Sequence, residues 1–378
     1  MPDTLIEEPI RPTVIDDPAL APAAGDPAAA SPGPPGRDPA GAPRRPGSPA
    51  SVPRGACLAV ALALVAALAA LALGLYFFFW RYAQTARDHI PGDANIVVRL
   101  EAAQLALFGP VRQHFFPLLD EARAGSPRKA RIEAATGLDP LTDVREIVIA
   151  STDAASWVVL AGGRIPRGRF VAGMEKVARD EGWSGWRRDG ELLVGPSAAI
   201  GQADDGTLVL GTDVEIVKAA LPASDEWRRL DLPEQGPVTF ALTRAALSGA
   251  AGEFSNALPR AGTALPRAGA LLRRVDRASG VLTLGAEPAL VARLAPVSGE
   301  AAPALAADAQ AALGSVKPAL AMLPDVWGAR AALDGAEAQA QGELVEIRAR
   351  WPYEGLDRAC AELAQRARAA GGADAAVP

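Results

Sequence analysis

From Gly55 to Trp80 the chain carries no charged residue, and the 25 residues ACLAVALALVAALAALALGLYFFFW (56–80) constrain it more than any other stretch. As a helix this run extends about 37 Å at 1.5 Å per residue, enough to cross a hydrocarbon layer about 30 Å thick with some tilt. Seven leucines, two valines and three phenylalanines favour insertion, and no charge opposes it. A surface helix would keep a polar face and a core helix a charged edge, whereas this one is apolar all round. Tyr76, Trp80 and Tyr82 mark the exit, where amphipathic rings suit the headgroup layer. A cleavable export signal begins near the N-terminus and has an apolar stretch of about 7 to 15 residues; here 55 residues precede a longer run. The run is therefore read as one transmembrane helix with the lipid bilayer as its partner. Arg44, Arg45 and Arg54 before it outnumber Arg81 and Arg87 after it, which favours a cytoplasmic N-terminus and a periplasmic body at a bacterial inner membrane. Cys57 opens the run instead of following it, so it reads as a small apolar residue and not as a lipoprotein cysteine.

Residues 1–55 hold 14 of the 33 prolines and no aromatic residue, in stretches such as SPGPPGRDPAGAPRRPGSPA. Such a segment cannot bury enough apolar surface to offset its ordering entropy and is expected to be a disordered cytoplasmic tail. Within it, PRRP (43–46) and TLIEEPIRPTVI are candidate docking peptides. Beyond residue 55 there are 33 basic and 37 acidic residues with scattered arginines, so no basic footprint suits nucleic acid. The two cysteines offer no disulfide framework, leaving an ordinary apolar core to hold the fold. Cys360 shares a helical spacing with Leu356, Ala359, Leu363 and Ala367 and reads as a packing residue.

After a juxtamembrane linker (81–93), PGDANIVVRLEAAQL predicts a turn, a strand over 96–100 and then a helix around 110–124. SPRKARIEAATG places Ser126 as N-cap, Pro127 in the first turn and Gly137 past the helix end. DVREIVIAS and SWVVLAGG read as strands. Phe170, Met174, Val177 and Ala178 mark one face of a helix that Gly182 stops. WRRDGELLVG and AIGQADDGTLVLG are hairpins turning at Asp189-Gly190 and Asp205-Gly206. GTDVEIVKAAL starts a helix with Thr212 as N-cap and Glu215 closing a capping box.

The second half restarts. IVVRLEAAQL from Ile96 aligns with VTFALTRAAL from Val238 at an offset of 142, and GTLVLGTDVEIV from Gly206 with GVLTLGAEPALV from Gly280 at an offset of 74. The two offsets do not describe one duplication, so they read as reused strand-then-helix units. ALPRAGTALPRAG (257–269) reads as a connection. A helical stretch near 300–323 interrupted at Lys317-Pro318, a strand ELVEIRARW and the Cys360 helix close the chain, and 371–378 are expected to fray. Hairpins mixed with helices point to an α+β fold, with mainly antiparallel sheets and flanking helices in two lobes, 94–230 and 236–370.

Little in this chain carries recognisable chemistry. Its two histidines, His89 in the linker and His114 on the first helix, are too few for a histidine metal site or triad. It has no G-x-S-x-G, no H-E-x-x-H and no Gly-rich phosphate loop, so no catalytic residue, cofactor or metal ligand is assigned. Asp139 and Asp143 in GLDPLTDV form a weak acid pair that could do acid–base work or, more simply, build a turn before a strand. Trp183, Trp186 and Arg187 are a possible binding surface for sugar or peptide, set against the plainer reading of core packing.

IPGDANIVVRLEAAQL, TGLDPLTDVREIVIA, VVLAGGRI and DDGTLVLGT together resemble a family of uncharacterised, membrane-anchored envelope proteins of myxobacteria and related GC-rich bacteria, mostly over residues 90–221. The resemblance implies an extracytoplasmic α+β domain without an assigned activity, and it carries over no functional residue. The expectation is a single-pass anchored envelope protein whose body binds another protein or a wall component without catalysis. The alternatives are a hydrolase working through Asp139 and Asp143, and a transmembrane adaptor whose tail docks partners in the cytoplasm.

Overall fold

The computed structural model describes residues 68–70, 85–125, 127–153, 155–257, 264–321 and 327–374. The chain divides into two units, Met1–Ala69 and Ala70–Pro378, and the second is the subject here. The expected tail and most of the apolar run lie outside the described residues; of the run only 68–70 are described, and they are helical and exposed. Among the described residues no helix is long and apolar enough to cross a membrane.

In chain order the strands are β1 (Ile96–Glu101), β2 (Val144–Ser151), β3 (Trp157–Gly163), β4 (Arg187–Asp189), β5 (Leu192–Val194), β6 (Ala199–Gln202), β7 (Leu208–Gly211), β8 (Val238–Thr243), β9 (Val275–Thr283), β10 (Ala289–Pro296), β11 (Glu337–Gln341) and β12 (Leu344–Arg350). The helices are α1 (Ala102–Leu107), α2 (Gly109–Gly125), α3 (Pro127–Thr136), α4 (Pro140–Asp143), α5 (Phe170–Asp180), α6 (Val214–Ala220), α7 (Arg244–Ala257), α8 (Ala264–Leu272), α9 (Ala302–Ala321), α10 (Ala329–Asp334) and α11 (Tyr353–Asp374), with 3-10 turns at Ala86–His89 and Glu226–Leu230. The strands form a single antiparallel sheet in the order β11-β12-β10-β9-β8-β1-β2-β3-β7-β6-β5-β4. The two sequence halves are thus wings of one sheet and not two lobes with a sheet each. β2 pairs with only one side of β1, and β8 takes the other side, so that neither strand is left with an open hydrogen-bonding edge.

The offset of 142 is a structural repeat. β1 hands over to α1 between residues 101 and 102, and β8 hands over to α7 between 243 and 244, a shift of 142 in both boundaries. The two strands share one burial pattern, with the second and fourth residues buried. Their register pairs Val98 with Phe240, residues that are themselves 142 apart, so a local two-fold axis passes through that pair. Each half then continues alike, with a hairpin beside the central strand (β2–β3, β9–β10), a helix (α5, α9) and a returning strand on the hairpin's far side (β7, β12). The offset of 74 is not a repeat, since 206–217 is a turn, a strand and a helix while 280–291 is the β9–β10 hairpin.

Side chains alternate between the two faces of the sheet. On the first face Val97, Val148, Ala150, Val158, Leu160 and Val209 pack against Ala86 and Ile90 of the lead-in segment, Val217 and Ala220 of α6, and Trp227 and Leu230. Beyond β8 the same face turns polar, carrying Arg277, Ser279, Arg293, Glu346 and Arg348. The second face is apolar at both ends. Leu193, Ile200 and Leu208 meet Phe170, Val171 and Met174 of α5 at one end, and Ala278, Leu294 and Val345 meet Leu305, Ala306 and Ala309 of α9 at the other.

Several local expectations hold. Phe170, Met174, Val177 and Ala178 are all buried, and Gly182 ends the helix with φ +67°. Gly137 follows α3 with φ +70°, and both Asp-Gly hairpins form with positive φ at Gly190 and Gly206. Ser126 lies outside the described residues. Other expectations need correction. The N-cap of α6 is Asp213, whose carboxylate accepts from the Ile216 amide; the Thr212 hydroxyl instead accepts from the Trp157 amide across to β3. The second ALPRAG copy opens α8, because Pro266 falls in the first turn, where its missing N–H has no intrahelical partner to lose. α9 runs through Lys317-Pro318 unbroken, the proline standing in its last turns, and α11 continues to Asp374. On α11 the buried stripe passes through Gly355, Ala359 and Ala364, leaving Leu363 42 % exposed and Ala367 exposed.

Candidate functional site

The expected juxtamembrane linker is part of the core from residue 85 on. Ala86, Ile90 and Ala94 are buried, as is His89, only 3 % exposed. The 3-10 turn Ala86–His89 lies against the first sheet face and is held at several points. The Thr85 and Thr207 hydroxyls hydrogen-bond at 3.0 Å, the Ser224 amide donates to the Asp88 carbonyl (2.6 Å), and Trp227 Nε1 donates to Asp88 Oδ1 (3.1 Å). The Arg87 guanidinium stacks 4.8 Å from the Trp227 ring centroid.

His89 faces two acceptors. Its Nδ1 lies 2.9 Å from the carbonyl oxygen of Ala220, the last residue of α6, and its Nε2 lies 3.1 Å from Asp205 Oδ2. The ring borders a cavity of about 330 Å³ lined also by Glu191, Gln202, Asp204 and Leu221. Burial pushes the Asp205 carboxyl up, but the Thr207 amide and the His89 ring outweigh burial and hold it below the usual carboxylate value. The carboxylate is therefore ionised at neutral pH. The offset of 142 could have found this segment in the sequence, since it sets Ile90 and Pro91 on Leu232 and Pro233, and Leu232 is buried as Ile90 is.

The residues singled out from the sequence stand as follows. Asp143 Oδ2 accepts from the Asp139 amide (2.8 Å), and its Oδ1 accepts from the Thr142 hydroxyl (3.3 Å), so this carboxylate closes the turn that carries α4 into β2. Trp183 and Trp186 sit 5.5 Å apart at 56°, packed against the α5 cluster, with Trp183 Nε1 donating to Glu181 Oε2 (2.9 Å). Arg187 is exposed on the edge strand β4. His114 on α2 pairs with Asp357 on α11 at 2.9 Å. Burial, and then the Asp357 carboxylate, push the Cys360 thiol up, away from thiolate reactivity.

A second recess, about 410 Å³, lies between the α1–α2 junction, the β9–β10 turn and the start of α11. Leu107, 79 % exposed, lines it with Phe108, Leu284 and Tyr353, and the Phe108 and Tyr353 rings meet edge-on at 5.5 Å. Leu107 is the most exposed of the large apolar side chains among the described residues. No sequence pattern marks it, because AAQLAL carries no more than ordinary helix periodicity. Among the described residues no group of three or more His, Cys, Asp or Glu side chains is placed to hold a metal ion.

No family model and no curated protein matches the chain. Among solved structures, crystal form I of TP0453 aligns with a TM-score of 0.39 and 9 % identity, covering 75 % of this chain and 99 % of that one. Crystal form III of TP0453 aligns with a TM-score of 0.39 and 9 % identity, over 74 % and 98 %. Similarity at this level assigns the chain neither a family nor a function.

Proposed function

We propose that the protein is a single-pass component of a bacterial inner membrane, anchored by residues 56–80, with a cytoplasmic tail and a periplasmic α+β body that acts as a non-catalytic binding or structural module of the envelope. The observation that carries the reading is the uncharged 25-residue run, long enough to span, standing four residues ahead of Thr85, where the packed lead-in segment begins. The recess lined by exposed Leu107 and half-exposed Tyr353 offers apolar and aromatic surface on which another envelope protein or a wall component could be bound. The turn geometry of Asp139 and Asp143 favours this reading over a carboxylate hydrolase.

The test is extraction of native vesicles with alkaline carbonate, followed by protease treatment of intact spheroplasts. The full-length chain is expected to stay in the pellet, with the body digested from outside and the tail protected. Release of the intact chain, or a mature N-terminus after Trp80, refutes the anchor. Protection of the body reverses the orientation.

A further inference from the structure

His89 is the only described histidine buried in the core, and both of its ring nitrogens face oxygens that can only accept: the carbonyl of Ala220 and the ionised carboxylate of Asp205. A neutral imidazole has one N–H to offer, whereas the imidazolium has two. Either neutral tautomer turns a nitrogen lone pair onto an oxygen at about 3 Å, so only the doubly protonated ring satisfies the arrangement.

The groups around the ring are mostly acceptors and acids. Ala220 ends α6, so its carbonyl lies at the negative end of the helix. The β6–β7 turn adds Asp204 beside Asp205, and the β4–β5 turn adds Glu191, all on the same cavity. Of the nearby positive groups, Arg87 on the lead-in turn and Arg228 on Glu226–Leu230 are drawn to the Trp227 ring, and Lys218 on α6 pairs with exposed Glu215. Asp88, next to His89, is engaged by Trp227.

We propose that His89 is a pH-operated latch. With two ring protons it ties the lead-in residues 85–89 to the end of α6 and to the β6–β7 turn; on losing one it lets those residues lift off, while Ile90 and Ala94 stay in the core. Freed, the five residues release about 17 Å of extended chain. If the run 56–80 spans a membrane, the tether between the span and the body then lengthens by those five residues as pH rises. Only this consequence rests on the anchored reading; the latch itself does not.

The experiment is hydrogen exchange of the full chain in mild detergent at pH 5.5 and 8.0, corrected for intrinsic exchange rates and read on peptides covering 85–92. Among their protected amides are Asp88, bonded to the Thr85 carbonyl, and Ile90, bonded to the Arg87 carbonyl. Losing a charge-assisted hydrogen bond should lower protection there about tenfold at the higher pH. His89→Gln, with a single amide in place of a ring that changes charge, should abolish the pH dependence, and Asp205→Asn should reduce it. Equal protection at both pH values in the wild type overturns the proposal, as does an unchanged pH dependence in His89→Gln. Should His89→Gln fail to fold, nitrogen-15 shifts of the ring decide, because the chain has two histidines and His114→Gln assigns them. A neutral His89 ring while 85–92 is protected also overturns the latch. Carbonate release of the chain would sink the anchor and leave this result standing.

Discussion

Arg99 and Glu146 form an ion pair in the middle of the sheet, each only 1 % exposed, and replacing one partner tests whether the pair holds itself by charge. Arg99 Nε donates to Glu146 Oε1. The other contacts of the guanidinium are long, 3.5 Å to the Gly236 carbonyl and 3.7 Å to Glu101 Oε2, and among the described residues Glu146 Oε2 has no hydrogen-bond partner. Arg99→Met therefore strands a buried carboxylate, and Glu146→Leu strands a buried guanidinium. Removing one member of a buried pair costs roughly 3–5 kcal/mol, whereas replacing both by apolar residues of similar size is often neutral or stabilising by roughly 1–4 kcal/mol. The site suits the double replacement. Val97 and Val148 beside the pair are fully buried, and the residue matching Arg99 in the repeat is Ala241, buried too. The Arg99→Met/Glu146→Leu double variant should thus be far more stable than either single variant, with a coupling energy above about 3 kcal/mol. Urea unfolding of the full chain in mild detergent, followed by tryptophan fluorescence, gives the four free energies by linear extrapolation. If the single losses add up in the double variant to within about 0.5 kcal/mol, the pair is not coupled and the reasoning fails.

Three other outcomes follow from the same geometry. Gly173→Ala on α5 would place a Cβ 2.5 Å from the Ala135 carbonyl oxygen and 2.9 Å from Thr136 Cα, backbone that cannot swing aside; overpacking should cost about 1–3 kcal/mol, read as a lowered Tm. Asp213→Ala removes the cap on the Ile216 amide and should cost about 1 kcal/mol in urea melts, and more than Thr212→Ala, which leaves that cap in place. The Asp205 carboxyl is held below its ordinary value in the folded state, so its contribution is present above the unfolded carboxylate value and lost as pH falls through the folded one. Asp205→Asn should accordingly be less stable than the wild type near pH 6, with the gap closing as pH falls below the ordinary carboxylate range; a gap independent of pH would contradict this.

The parts of the fold legible in the sequence are those fixed within a few residues. The α5 face appears as Phe170, Met174, Val177 and Ala178 at helical spacing, and the hairpins appear as Asp-Gly pairs, because glycine tolerates the positive φ those turns need. β11 was missed. Its sequence EAQAQ shows little apolar character because it is an edge strand and its first-face residues Glu337, Gln339 and Gln341 are exposed. The α6 cap was misplaced by one residue, since Thr212 and Asp213 are both good caps and only the cross-strand bond of Thr212 to Trp157 decides between them.

The candidate site was less legible. Asp139 and Asp143 are four apart whether they serve a turn or a reaction, and only the bond from the Asp139 amide shows the Asp143 carboxylate closing a turn. His89 looked like a linker residue because its partners, Asp205 and Ala220, are 116 and 131 positions away.

By itself the sequence determined local matters: the helix faces, the hairpin turns and the preference of 56–80 for an apolar surrounding, each set by neighbours along the chain. Only the tertiary structure decided that the two halves share one sheet through the Val98–Phe240 pair, that the lead-in segment belongs to the core, and that His89 meets two acceptors. Strand partners and burial depend on contacts between residues more than a hundred positions apart, and no local pattern of side chains encodes which distant edge a strand will meet.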